Sequence, residues 1–451
     1  MRDTTKSVIA ASWAMSLFSV KQLMNIVNSG ESQDGDTADA FDAATQATGK
    51  EFNDDMIHSL FAVGDDLQRE IIDLIGSSLT VEALNPAKLM ELPILQRSTD
   101  TLRSFMPGTN SAVLVKELKN KFGVFNLVKQ VPITMDLSDE PPFKPLSELI
   151  SRALALEEYP RLWVIEGLGH YHGDTFYMGG VVPRKILGGE EYQNIPAPAL
   201  TMLHAGIGMA FAQHLMMTVN HLSPVSEIRE VLKEYIHLCH DNSQPGYEGC
   251  ALESLGLISR HGQFYGETSP TQMVQIVSDE LAKIDIDAYG YFWHGVGRAT
   301  YFLPINFLPG YGSISHACDM IRSTAPDDLA LCNAISGLAW GVTMVNIRDP
   351  EIMAHWISLQ GEFLSSNDGL ANGFMSGLIM RQDTTPNASF IEEYYNHDPK
   401  GGVQALWKTM VKDPGDLAMD RIYPALVKHK RLGEIFRYQS LDRLVDGLES
   451  E

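Results

Sequence analysis

Apolar positions recur at helical spacing along most of the chain. Val8 to Val27 is predominantly apolar and reads as a helix, closed by the polar loop Asn28-Ser-Gly-Glu-Ser-Gln-Asp-Gly-Asp36. Between Phe52 and Ile75, Ile57, Leu60, Phe61, Leu67, Ile71, Ile72 and Ile75 follow a period close to 3.6 residues, and Gly76-Ser77-Ser78 ends that helix. A further helix is expected from Ser111 to Lys129. The pattern then breaks: Pro132, Pro141, Pro142 and Pro145 flank the acidic run Asp136 to Glu140. A proline-broken acidic stretch cannot continue a helix, so 131–146 reads as a linker between an N-terminal helical domain (1–130) and a second domain (147–451). Ser147 as N-cap, with Glu148 in the first turn, marks the restart.

Downstream, one short signature returns. Ile165-Glu-Gly-Leu-Gly-His170, His204-Ala-Gly-Ile-Gly-Met209, Tyr247-Glu-Gly-Cys-Ala-Leu252, Trp293-His-Gly-Val-Gly-Arg298 and Ile335-Ser-Gly-Leu-Ala-Trp340 each place a glycine, an apolar residue, then Gly or Ala. Ala371-Asn-Gly-Phe-Met-Ser376 is a degraded sixth copy. The first glycines (Gly167, Gly206, Gly249, Gly295, Gly337, Gly373) lie 36 to 46 residues apart, the size of a helix pair with its loops. Glycine inside a helix costs roughly 1 kcal/mol relative to alanine, so its recurrence at one position implies a compensating close approach of backbones. Prolines punctuate the intervals and no alternating β-branched run forces a sheet. The expected fold is all-α, an N-terminal helical region followed by a helical-repeat domain of solenoid or toroid-like form.

Composition narrows the partners. The 451 residues hold 57 acidic against 34 basic side chains, a formal net charge of −23. That charge repels nucleic acid and anionic membranes at long range. Cys239, Cys250, Cys318 and Cys332 form no Cys-x-x-Cys pair and suit buried thiols of a reducing compartment, so a cytoplasmic location is expected. Val8 to Val20 is too short to span a bilayer, and Asp3 spoils the basic leader of a signal peptide.

Ten of the 14 histidines lie between His170 and His316. On a helix, Glu166, His170 and Asp174 stand at i, i+4 and i+8 and share one face, which suits a general acid or base held between carboxylates. The position before each first glycine carries Glu166, Ala205, Glu248, His294, Ser336 and Asn372. If the repeats close around an axis, Glu166, Glu248 and His294 converge, with His170 and Arg298 one turn on. Burying such groups on an apolar face is costly unless they pair, and pairing that merely fixes the packing explains them equally well. His204, Trp293, Tyr301 and Trp340 would line a pocket for a greasy ligand, or simply fill the core.

Glu234-Tyr-Ile-His237 has di-iron bundle spacing but no second copy, which leaves a mononuclear His/carboxylate metal as the alternative to no cofactor. Asp65-Asp66 imitates a diphosphate-binding motif without its companion. There is no phosphate loop, nucleophile elbow, His-Glu-x-x-His or dinucleotide fingerprint.

The succession Glu-Gly-x-Gly, His-Ala-Gly-x-Gly, Glu-Gly, Gly297-Arg298-Ala-Thr-Tyr301-Phe302 and Ser336-Gly-Leu-Ala-Trp340 resembles the helical proteins encoded within enediyne polyketide gene clusters, over roughly residues 160 to 345. The resemblance implies a setting in bacterial specialised metabolism and carries no activity with it. The leading expectation is a tailoring enzyme working by acid–base chemistry on an apolar, polyketide- or polyene-like molecule. Glu166 and His170 would transfer protons, Glu248 and His294 would complete the cluster, and Arg298 would hold an anionic or carbonyl group. A catalytically silent α-solenoid scaffold and a metal-dependent oxygenase are the alternatives, and pairing with a second copy is compatible with each.

Overall fold

The computed structural model describes residues 111–137, 143–189, 192–261, 270–303, 306, 313–386 and 388–450. The helices expected at Val8 to Val27 and Phe52 to Ile75 lie outside the described residues, as does nearly all of the expected domain 1–130. Lys116–Asn306 and Tyr311–Glu451 form one unit, and all its described regular structure is helical. The first described helix, α1 (Ser111–Thr134), runs past Lys129 and through Pro132, so it takes up the first residues of the expected linker. The chain then turns at Asp136, whose φ of 49° is left-handed. Helix α2 (Leu146–Leu154) begins one residue ahead of Ser147, with Pro145 at the cap position and Glu148 in the first turn.

The chain continues through α3 (Glu158–Met178), α4 (Ala197–Met216), α5 (Val225–Asn242), α6 (Glu248–Leu252), α7 (Ser254–His261), α8 (Pro270–Ile284) and α9 (Ile286–Tyr301). Then follow α10 (Ser313–Thr324), α11 (Asp328–Val345), α12 (Glu351–Leu364), α13 (Gly369–Thr384) and α14 (Ser389–Tyr395). Two kinds of helix alternate. In α5 the buried residues Ile228, Leu232, Tyr235, Leu238 and Cys239 step by three and four and mark one face. In contrast, α9 is buried on every side from Ala288 to Tyr301, and α11 from Asn333 to Val345. A helix buried all round is a core helix. Two of the core helices begin on side-chain caps: Asp285 caps α9 by accepting the Asp287 and Ala288 amides, and Asp327 caps α11 through the Ala330 amide. By length and composition α11 could cross a membrane, but most of it is buried within the unit.

Glycine sets how the core helices meet. They pack in chain order, α3 on α4, α4 on α7, α7 on α9, α9 on α11 and α11 on α13. A Cβ added to Gly206 would lie 2.0 Å from the Glu166 carbonyl oxygen, one on Gly295 2.1 Å from that of Glu253, one on Gly337 1.8 Å from that of His294, and one on Gly373 2.0 Å from that of Ser336. No side chain fits in that space. The second small residue repeats the arrangement toward the next helix: a Cβ on Gly256 would meet the Phe292 carbonyl at 1.9 Å, and one on Gly297 that of Ala334 at 1.9 Å. Gly369, Gly373 and Gly377 meet Cys332, Ser336 and Trp340 in turn, so α11 and α13 advance together and run parallel.

This register corrects the third copy. Gly249 is not part of it; a Cβ there would instead meet the Gly433 carbonyl at 2.2 Å and the Tyr291 ring at 2.5 Å. The equivalent segment is Glu253-Ser254-Leu255-Gly256. Ser254 occupies the first small position and satisfies the facing carbonyl directly, its Oγ donating to the Ala205 oxygen at 2.9 Å.

Beyond α14 a helical run continues from Gln404–Trp407 to Tyr423–His429, with π turns at Lys408–Lys412 and Ala418–Ile422 just ahead of Pro414 and Pro424. Each proline removes one amide donor from the run, and the helix widens to i→i+5 bonding just ahead of it. Lys430, at φ 53°, ends the run, and a 3-10 turn (Leu432–Phe436) returns to α6, where the Gly433 amide donates to the Gly246 carbonyl at 2.7 Å. Helix α13 also touches the start of the array: Thr201 donates to Asp383 at 3.0 Å, and the Arg381 guanidinium covers the Tyr159 ring at 4.7 Å.

Candidate functional site

The residue ahead of each first small position is buried in all the core helices: Glu166, Ala205, Glu253, His294, Ser336 and Asn372. Four of the five polar members pair with one another. Ser336 Oγ donates to Asn372 Oδ1 at 2.9 Å, and His294 Nδ1 lies 3.2 Å from Glu253 Oε1. One turn beyond His294, Arg298 donates from Nη1 to Glu253 Oε2 at 3.1 Å and from Nη2 to Glu166 Oε1. Glu166, Glu253, His294 and Arg298 are each at most 4% exposed, so this is a sealed quartet drawn from α3, α9 and the residue leading into α7.

Aromatic rings close over it. The Arg298 guanidinium sits 4.6 Å from the Trp340 ring centre, and the Trp340 and Phe436 rings both meet the His294 imidazole edge-on. Burial alone would push the Glu253 carboxyl up, but Arg298 and His294 outweigh it and hold it below the usual range. Burial likewise works against the Arg298 charge, while Glu166 and Glu253 raise its pKa above the ordinary value. Three buried nitrogens in this group have no hydrogen-bond partner: His294 Nε2, Arg298 Nε and Trp340 Nε1. Buried polar atoms are paired in the great majority of cases, so such a grouping calls for a reason.

Of the sequence candidates, Glu166, His294, Arg298 and Trp340 are brought together here. His170 is not. Its Nδ1 lies 3.4 Å from Asp174, as the helical spacing suggests, but Nε2 pairs with Gln213 at 3.0 Å and Glu166 turns away to Arg298. Asp174 is shared with His214 at 2.9 Å in a half-exposed group. Glu248 stands apart and accepts the Gly246 amide at 2.8 Å. His204 is satisfied in the core: Nδ1 donates to the Leu200 carbonyl at 2.7 Å, Nε2 accepts the Gln244 amide at 3.0 Å, and burial pushes its pKa down to about 4. Trp293 donates to Ser278 at 3.0 Å, and Tyr301 accepts from Asn346 at 2.9 Å while its ring carries the Lys121 ammonium at 3.8 Å. Those three contacts are packing. Among the described residues no group of three His, Cys, Asp or Glu side chains is placed to hold a metal ion, the Glu234/His237 pair included.

Two members of the site escaped the sequence pattern. Glu253 was hidden by the serine that follows it, although Glu253-Ser254-Leu255-Gly256 matches Glu166-Gly167-Leu168-Gly169 once Ser is allowed as a small residue. Phe436 comes from the C-terminal turn, outside the repeat, and nothing in its neighbourhood marks it. A third buried group, Asp383, sits between α4 and α13 with Thr201 and Tyr423; burial raises its carboxyl to about 7, against the hydrogen bonds those two provide.

Clefts lie elsewhere on the unit. One of about 220 Å³ is lined by Glu248, Asp285, Tyr291, Arg431, Glu434 and Arg437 among others, and another of about 280 Å³ by Arg260, Thr271 and Val296. Neither includes a member of the quartet. Tyr291, His294 and Arg298 nevertheless stand at i, i+3 and i+7 on α9, so the first cleft and the quartet lie along one helix face. No family model, curated protein or solved structure matches the chain.

Proposed function

We propose that the protein is an enzyme that moves a proton on an apolar, polyketide- or polyene-like substrate, and that its core helices close into a toroid-like ring around the reacting groups. Closure is supported by the return of α13 to α4 through Thr201 and Asp383, and by Arg298 reaching from α9 across to Glu166 on α3. The observation that carries the chemistry is the state of His294. Glu253 takes up its Nδ1, which fixes the ring, and leaves Nε2 unpaired in a fully buried position. An imidazole held through one nitrogen with the other free is the arrangement of a general base or acid.

The remaining parts suit that role. Arg298 is clamped by two carboxylates and backed by Trp340, so its guanidinium is held ready to hold a carbonyl or developing oxyanion; Trp340 and Phe436 supply apolar walls. In so dry a site an oriented charge acts far more strongly than in water. The natural setting would be bacterial specialised metabolism, as the resemblance of the glycine segments implies, and the scattered cysteines suit the cytoplasm.

Proton transfer can be tested before the substrate is known. Apolar ketones and enones with exchangeable α-hydrogens, incubated with the protein in D₂O, should take up deuterium, read by mass spectrometry. The His294→Gln variant, checked for fold by circular dichroism, should lose that exchange by a hundredfold or more, about the usual contribution of such catalysis. Exchange retained in a folded His294→Gln protein, or none above background with the native protein, would overturn the proposal.

A scaffold reading has one observation in its favour: the quartet is sealed, and neither described cleft reaches it. On that reading the ion pairs only fix the packing, and the variant changes stability alone.

A further inference from the structure

Arg260, in the last turn of α7, is only 7% exposed. Among the described residues it donates to two threonine hydroxyls, from Nε to Thr300 Oγ1 and from Nη1 to Thr271 Oγ1, both at a long 3.4 Å. No described carboxylate pairs with it, so burial pulls its pKa below the ordinary value and nothing pushes back. The other buried arginines are provided for. Arg298 is clamped by Glu166 and Glu253, and Arg381 donates to the Tyr159 and Met344 carbonyls and lies over the Tyr159 and Trp163 rings. The Arg260 charge is felt next door: His261 is pushed down to about 4, first by burial and then by the Arg298 and Arg260 guanidinium groups. A buried charge left without a counter-charge is costly, even in a chain with an excess of carboxylates.

This guanidinium lines the cleft of about 280 Å³ where α7, α8, α9 and the end of α10 meet. The cleft lining contains no carboxylate. Thr271 and Gln272 contribute to it from the first turn of α8, which Pro270 opens and in which no acidic residue stands, so the positive end of that helix adds to the guanidinium. Thr271 Oγ1 accepts from Arg260 and keeps its own proton to give. Val274 and Val296, both buried, are the apolar part of the lining. On the α10 side the Ser323 and Thr324 hydroxyls donate back to the Met320 carbonyl and leave that wall neutral.

We infer that this cleft binds a small organic carboxylate, whose oxygens are taken by the Arg260 guanidinium and the Thr271 hydroxyl and whose apolar body lies against Val274 and Val296. The planar guanidinium presents its N–H groups as a fork that matches a carboxylate. One guanidinium balances one negative charge, which suits a carboxylate better than a dianionic phosphate. At about 280 Å³ the space is just below the range of drug-sized pockets, roughly 300–1,000 Å³, and admits an acid of modest size. The site shares no residue with the quartet and stands or falls without the proton-transfer reading.

Isothermal titration of the full chain with benzoate, benzamide and inorganic phosphate provides the test. Benzoate should bind. Benzamide has nearly the same shape without the charge, and phosphate has charge without an apolar body; each should bind at least tenfold more weakly. Arg260→Gln, checked for fold by circular dichroism, should weaken benzoate tenfold or more, the equivalent of about 1.4 kcal/mol or more. Gln275 lines the cleft from an exposed position, so Gln275→Trp puts an indole across the space without touching the buried charge. It should weaken benzoate as strongly, and it keeps the test decisive where Arg260→Gln does not fold. No binding of benzoate, equal binding of benzamide or phosphate, or unchanged benzoate affinity in Gln275→Trp or in folded Arg260→Gln would each overturn the inference.

Discussion

Asp383→Asn isolates the cost of one buried carboxylate. Asp383 lies between α4 and α13, receives a hydrogen bond from Thr201 at 3.0 Å, and has its carboxyl raised by burial from the ordinary 3.8 to about 7. Because the folded value is raised, the folded protein keeps a proton that the unfolded chain gives up between those two values. The stability present below pH 3.8 is therefore lost progressively as pH rises, and the loss is complete above pH 7. At 1.36 kcal/mol per unit the full penalty is about 4 kcal/mol, and about 2 kcal/mol of it falls between pH 5.5 and pH 8. Asparagine keeps an acceptor for Thr201 but cannot ionise. Urea unfolding of the native protein and of Asp383→Asn at several pH values across that window should give curves that diverge, with the variant gaining on the native protein as pH rises. The difference between the two proteins cancels every other titration they share. Parallel curves, a constant difference at all pH values, would show that Asp383 ionises normally and would refute the reasoning.

Substitutions at Gly337 and Ser254, with Gly447 as a control, test the helix register. Gly337→Ala puts a Cβ where the His294 carbonyl oxygen now lies 1.8 Å away, so the helices must separate and denaturant midpoints should show a loss of about 1–3 kcal/mol or more; Gly447→Ala, on the helix Leu441–Ser450 with open space around it, should gain up to about 1 kcal/mol. Ser254→Gly should fold, at a cost of about 1–2 kcal/mol for the lost bond to Ala205 and the poorer helix propensity, while Ser254→Leu should not give soluble protein at normal yield.

The helical class was legible because periodicity reports on one helix at a time. The glycine signature went further, since a glycine tolerated in mid-helix betrays a neighbour's backbone, and it gave the correct register for Gly206, Gly295, Gly337 and Gly373. It failed where a serine met the same geometry with its own hydroxyl, and so Glu248 was read in the place that Glu253 holds. The pairing of Arg298 with both Glu166 and Glu253 was only half legible. Helical spacing correctly set His170 beside Asp174, but a buried guanidinium is a stronger partner for Glu166 than a half-exposed imidazole, and which helix faces which is not a property of any one segment. Phe436 had no local signal at all, because its role arises from where the C-terminal turn docks.

Register in this chain is held at each helix junction and not by the length of chain between junctions. The small positions Gly167, Gly206, Ser254, Gly295, Gly337 and Gly373 are separated by 39, 48, 41, 42 and 36 residues, yet from Gly206 onward each meets the carbonyl of the residue just ahead of the preceding small position. The longest interval, Gly206 to Ser254, is the one that contains α6, and α6 with its glycines forms one wall of the acidic cleft. A linking segment can therefore lengthen without shifting the helices it joins, and the cleft has the position that an insertion would occupy. The core fixes its neighbours and leaves the joints between them free to acquire new surfaces.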